Sequence, residues 1–130
     1  MQRTIVTQCV QLLLEAFPDL LAIYVFGSFG TKYETAESYL DIAILPLRLL
    51  NEVELWRLAQ DLAEKIRRDV EVIDLLRAST VFRFQVITTS TRVYCSDPKQ
   101  CDAIENTYLS MYLRLNEERA EIIQDKLRNG

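Results

Sequence analysis

Two short, almost unbroken apolar runs, LLAIYVF at residues 20–26 and LDIAILP at residues 40–46, flank the polar segment GSFGTKYETAESY. Runs of this length, rich in β-branched and aromatic residues and closed by glycine or proline, read as strands buried on both faces. A parallel pair would need a crossover connection, usually a helix, and the polar segment has neither the length nor the pattern for one. The two strands are therefore expected to pair antiparallel, with a polar loop between them. Both faces of that pair then require cover from the rest of the chain.

The remaining segments supply it. Ile5, Cys9, Leu12 and Leu13 recur at helical spacing over residues 2–16, and Pro18 forbids continuation. After Pro46, an Asn51 cap opens NEVELWRLAQDLAEKIRR, with apolar residues at 53, 55, 56, 59, 62, 63 and 66. VEVIDLL at residues 70–76 reads as a third strand and ASTVFRFQVITTS as a shorter helix behind a Ser/Thr cap. RVYCSD reads as a fourth strand, and Pro98 suits the first turn of a long last helix. The expected fold is α/β (α+β), a mixed and mostly antiparallel sheet flanked by helices. One domain is expected over residues 1–130, with its core at 20–97 and a C-terminal helix at 98–129. Trp56, Phe82 and Phe84 are expected as core aromatics, and Cys95 and Cys101 as small core residues.

Composition narrows the chemistry. The chain has no histidine, which removes the histidine general base and the usual zinc ligand sets and leaves carboxylates and hydroxyls. Three cysteines without a framework spacing fit a reducing compartment, and cytoplasm is expected. The N-terminus lacks a signal-peptide pattern, and no apolar run reaches the length of a membrane span. A net charge of −4 is the wrong sign for gripping a nucleic-acid backbone, so a protein partner is expected and direct nucleic-acid binding is not. The C-terminal LRLNEERAEIIQDKLRNG mixes both charge signs at helical spacing and reads as a solvated helix face.

Polar residues inside the strands carry the chemical signal. Strand alternation puts Tyr39, Asp41 and Ala43 on one face and Leu40, Ile42 and Ile44 on the other. An unpaired carboxylate buried there would cost several kcal/mol, of the order of a small domain's whole stability, so Asp41 calls for a cation or donors. The plain alternative is an edge strand with Asp41 facing water. Glu71 is the acid of the third strand, with Asp74 three residues on and facing the opposite way. Two acids on neighbouring strands can converge on one divalent ion, and Mg²⁺ prefers carboxylate oxygens plus substrate phosphates. Gly27 at the strand exit lets backbone amides approach a phosphate, and Ser28 adds a donor without bulk.

The order strand, GS, ten residues, acid, one residue, acid is the signature of the DNA polymerase β-like nucleotidyltransferases. YVFGSFGTKYETAESYLDIAIL resembles it throughout. In the minimal (MNT) group, antitoxins of the HEPN/MNT toxin–antitoxin systems, the second strand commonly reads SDLDIAIL where this chain has SYLDIAIL. VEVIDL resembles the segment, commonly VDLVDL, that supplies the group's third carboxylate, which places Glu71 in that role. The resemblance covers residues 20–95 well and the terminal helices loosely. It implies transfer of AMP from ATP to a tyrosine of a HEPN ribonuclease toxin. Asp41, Glu71 and the residue at position 39 would hold two Mg²⁺, and Gly27 and Ser28 the β- and γ-phosphates. Tyr39 stands where the group has its first acid, a neutral phenol with pKa near 10 in place of a metal ligand. Three accounts stay open: a binding-only antitoxin, an altered sequence, or a metal site rebuilt from Asp41, Glu71 and perhaps Glu37 or Asp74. A small-molecule nucleotidyltransferase is the alternative of another class, although such enzymes carry a further substrate-binding domain.

Overall fold

The computed structural model describes residues 2–26 and 40–129. Eight elements follow in the order α1 (Gln2–Ala16), β1 (Ala22–Phe26), β2 (Leu40–Leu45), α2 (Glu52–Ile66), β3 (Val70–Asp74), α3 (Thr80–Thr89), β4 (Thr91–Cys95) and α4 (Pro98–Asn129). The expected elements are all present; β1, β2 and β3 are one or two residues shorter than their apolar runs, and β4 begins one residue before RVYCSD and ends at Cys95.

Local chemistry sets the boundaries. The Asn51 side chain accepts a hydrogen bond from the Val53 amide at 2.7 Å, and Glu52 and Glu54 lie in the first turn of α2, where the helix dipole favours negative charge. Ser79 Oγ accepts from the Phe82 amide at 3.1 Å and opens α3. Pro98, which has no amide to satisfy, is the first residue of α4.

The four strands run in the order β3-β2-β1-β4. β1 pairs antiparallel with β2, as expected, and also with β4, whereas β2 pairs parallel with β3 across the α2 crossover. Alternation then builds two cores. Ile23, Leu40, Ile42, Ile44 and Val70 pack with Cys9 and Leu13 of α1 and with Leu55, Leu58 and Leu62 of α2. On the other face Ala22, Tyr24, Ala43 and Leu45 pack with Val86 of α3 and with Cys101 and Tyr108 of α4. Burial on both faces is the reason β1 and β2 read as continuous apolar runs rather than alternating ones.

Some side chains depart from expectation. Trp56 is 64% exposed, not a core aromatic. Phe82 and Phe84 are half-buried: Phe82 meets Phe26 edge-on with ring centroids 5.7 Å apart, and Phe84 stacks on Tyr112 at 3.7 Å. Cys101 is buried and accompanied by a half-buried Cys95; burial pushes the Cys101 thiol up to about 11. Beyond Tyr112, α4 leaves the body of the protein. Its outer half is solvated, as the mixed charges predict, yet it also exposes Leu113, Ile122, Ile123 and Leu127. Among the described residues no helix is long and apolar enough to cross a membrane.

Candidate active site

β2 is an internal strand, which rules out the edge-strand placement of Asp41. The β1–β2 register sets Phe26 opposite Asp41, and the β2–β3 register sets Asp41 opposite Glu71. Residues opposite one another in a sheet point to the same face, so Glu71, Asp41 and Phe26 form a row across three strands. That row lies on the face covered farther along by α3 and α4. Phe26, held by Phe82, walls one side, and the exposed Glu71 opens the other to water.

The electrostatics of the pair follow from this placement. Partial burial first, and then the charge and hydrogen bond of Glu71, hold the Asp41 carboxyl above the ordinary carboxylate range. Two carboxylates held side by side, one poorly solvated, suit a hard divalent cation that would neutralise both. Among the described residues no group of three or more His, Cys, Asp or Glu side chains gathers as a metal site, so this pair is what the described strands contribute.

The raised Asp41 value has a measurable consequence. An acid whose folded-state pKa exceeds its unfolded value favours the protonated form in the fold, so the native state loses stability as pH rises through that pKa. The metal-free chain should therefore become more stable on acidification through the Asp41 titration. Asp41→Asn should remove this dependence and raise Tm near neutral pH by a few degrees, roughly the shift for 1 kcal/mol in a domain of this size. Thermal melts in chelator across a pH series measure it; a lower Tm for the Asn variant would contradict the repulsive pair.

Asp74 plays a different part. It is 3% exposed and its carboxylate is occupied, accepting from the Leu76 amide at 2.8 Å and the Leu50 amide at 3.3 Å. Arg77 donates to the Leu50 carbonyl at 2.8 Å, and Arg83 to the Leu75 and Leu76 carbonyls at 2.7 and 2.8 Å. The Asp74 and Arg77 bonds to Leu50 tie the segment before α2 to the end of β3, and the Arg83 bonds tie α3 to the same end. A further network, which no motif in the sequence singles out, ties α4 to the sheet: Tyr24 donates to Glu105 at 3.0 Å, and Arg92 bridges Glu105 and Asp102 at 2.6 and 3.0 Å. Gly27, Ser28, Glu37 and Tyr39 lie outside the described residues.

Known proteins share the fold. Residues 8–99 match the family described as polymerase beta, nucleotidyltransferase. A protein adenylyltransferase, MntA of Shewanella oneidensis, is 35% identical over 99% of this chain and 92% of its own length. Among solved structures, the MNT antitoxin bound to tri-AMPylated HEPN toxin of Shewanella oneidensis aligns with a TM-score of 0.82 at 34% identity, covering 98% of this chain and 99% of that one. A toxin–antitoxin structure with AMP-PNP also aligns at 0.82 and 34% identity, over 93% and 97% of the two chains. The match spans both the sheet that carries Asp41 and Glu71 and the terminal helices, and the chain belongs to the polymerase β nucleotidyltransferase family, in its minimal, MNT-type branch.

Proposed function

We propose that this chain is the antitoxin of a HEPN/MNT pair: it binds a HEPN ribonuclease, and its site is of the kind that transfers AMP from ATP to a tyrosine of that toxin. The observation that carries the proposal is the in-register carboxylate pair Asp41–Glu71 in a chain matched over nearly its whole length by a protein adenylyltransferase. Asp41 and Glu71 would hold Mg²⁺, which when bound would activate the acceptor hydroxyl and offset charge on the α-phosphate and departing pyrophosphate. Gly27 and Ser28 are assigned to the β- and γ-phosphates. The chain's own share is to position groups and to keep one carboxylate poorly solvated, where it binds a cation more strongly than in water.

One observation favours a second reading. Tyr39 occupies the first acid position of the motif, so the chain is proposed to transfer AMP poorly and to rely more on contact with its toxin. The exposed apolar residues of α4 fit such contact, because Leu113, Ile122, Ile123 and Leu127 are 57–81% exposed. Replacing Ile123 and Leu127 together by glutamate should weaken the complex about a hundredfold, since apolar anchors dominate interfaces, without unfolding a chain in which both are exposed. Calorimetric titration with the HEPN protein measures the effect. Unchanged affinity would exclude α4 as the docking element.

A further inference from the structure

One face of β3 packs on α2, and among the described residues its outer edge is open. β3 ends the sheet, and two bonds fix the phase of its parallel ladder, Leu40 N to Asp69 O at 2.8 Å and Leu75 N to Ile44 O at 2.9 Å. In that phase the backbone groups of residues 69, 71, 73 and 75 turn toward β2, and those of Val70 and Val72 turn outward. Among the described residues nothing pairs with these outward amides and carbonyls. Native sheets usually shield such an edge with charge, a bulge or a covering segment.

Beside the edge runs a groove of about 280 Å³, with Leu55, Trp56, Ala59 and Gln60 of α2 on one wall and Val70 to Val72 on the other. Trp56 is exposed there, a large aromatic ring with a polar N–H above an apolar floor. Glu71 lines the same groove, so it is continuous with the carboxylate pair.

We propose that this groove takes an extended peptide segment of the protein that accepts the nucleotidyl group, added as a strand beside β3. The proposal rests on the antitoxin reading above and names how the acceptor is held. A strand laid on Val70 and Val72 would pair with these outward-facing backbone groups and send alternate side chains to opposite faces of the sheet. One set would rest on Leu55, Trp56 and Ala59. The other set would reach the face of Glu71 and Asp41, where an acceptor hydroxyl is needed. A nucleobase satisfies the geometry less well, because α2 covers the face opposite the carboxylates and a base on Trp56 would have to reach around the sheet edge from its phosphates.

Trp56 is the single tryptophan of the chain, which makes it a direct reporter. The full chain is prepared with hydroxytryptophan at that position, so that its emission is excited apart from any tryptophan of the partner. Acrylamide quenching and backbone hydrogen exchange are then measured on the chain alone, with ATP and Mg²⁺, and with a HEPN protein encoded beside it, co-elution being followed in the same samples. The expected result is a severalfold loss of quenching and about a hundredfold slower exchange at the Val70 and Val72 amides, in the HEPN complex only. Co-elution with Trp56 still fully quenchable would overturn the groove proposal and leave the antitoxin reading standing. Protection of Trp56 without slowed exchange at Val70 and Val72 would overturn strand addition, and protection by ATP and Mg²⁺ alone would assign the groove to the nucleotide. Failure to co-elute would overturn both readings together.

Discussion

Tyr39→Asp is expected to raise AMP transfer to the HEPN protein by roughly a hundredfold or more, a change of about 2.7 kcal/mol in transition-state stabilisation. A phenol neither carries the charge of a carboxylate nor bridges cations. Asp41 and its register partner Glu71 are already in place in this chain, so one substitution completes the acidic set of the motif. A time course of labelled AMP incorporation, with Mg²⁺ and with chelator, reads the effect. Equal rates for the tyrosine and aspartate forms would remove position 39 from the site. No incorporation by either form would favour an antitoxin that acts by contact alone.

Asp74→Ala is expected to cost about 3 kcal/mol of stability, or about 10 °C in Tm. The substitution strands the buried Leu50 and Leu76 amides without their acceptor, and unsatisfied donors in the interior cost 1–3 kcal/mol each. Glu71→Ala at an exposed position should not lower stability, because it removes a like charge beside Asp41. The contrast separates the two acids of β3 by role, one holding the fold together and one serving the site. Chemical denaturation of both variants, compared at equal slope, checks it. Similar losses for the two would contradict the assignment.

Much of this arrangement is legible in the residues because local chemistry agreed with the fold. Asn51, Ser79 and Pro98 open helices where capping chemistry places them, and the polar connection, without a helical apolar pattern, leaves β1 and β2 to pair antiparallel. Alternation put Asp41 on one face of its strand. What alternation could not supply was the phase between strands: that Glu71 stands opposite Asp41, and Asp74 opposite Ile44, depends on the parallel register of β2 and β3, which no local pattern encodes. Nor does the order of elements indicate that β4 would pair beside β1 and leave β3 at the edge. Trp56 was misplaced for a geometric reason. Leu55, Leu58, Ala59 and Leu62 lie within a stripe of about 100° on α2, and Trp56, one residue on from Leu55, falls about 100° to its side. Hydrophobic character alone pointed it inward, whereas its angular position points it toward the open edge of β3.

The proposed partnership with a HEPN toxin does not depend on catalysis, and co-expression with a HEPN protein encoded beside it, followed by size-exclusion chromatography with intact-mass detection, is its test. A single peak containing both chains is expected at micromolar concentration, in the absence of ATP and with Tyr39 unaltered, whereas separate peaks at that concentration would overturn the partnership.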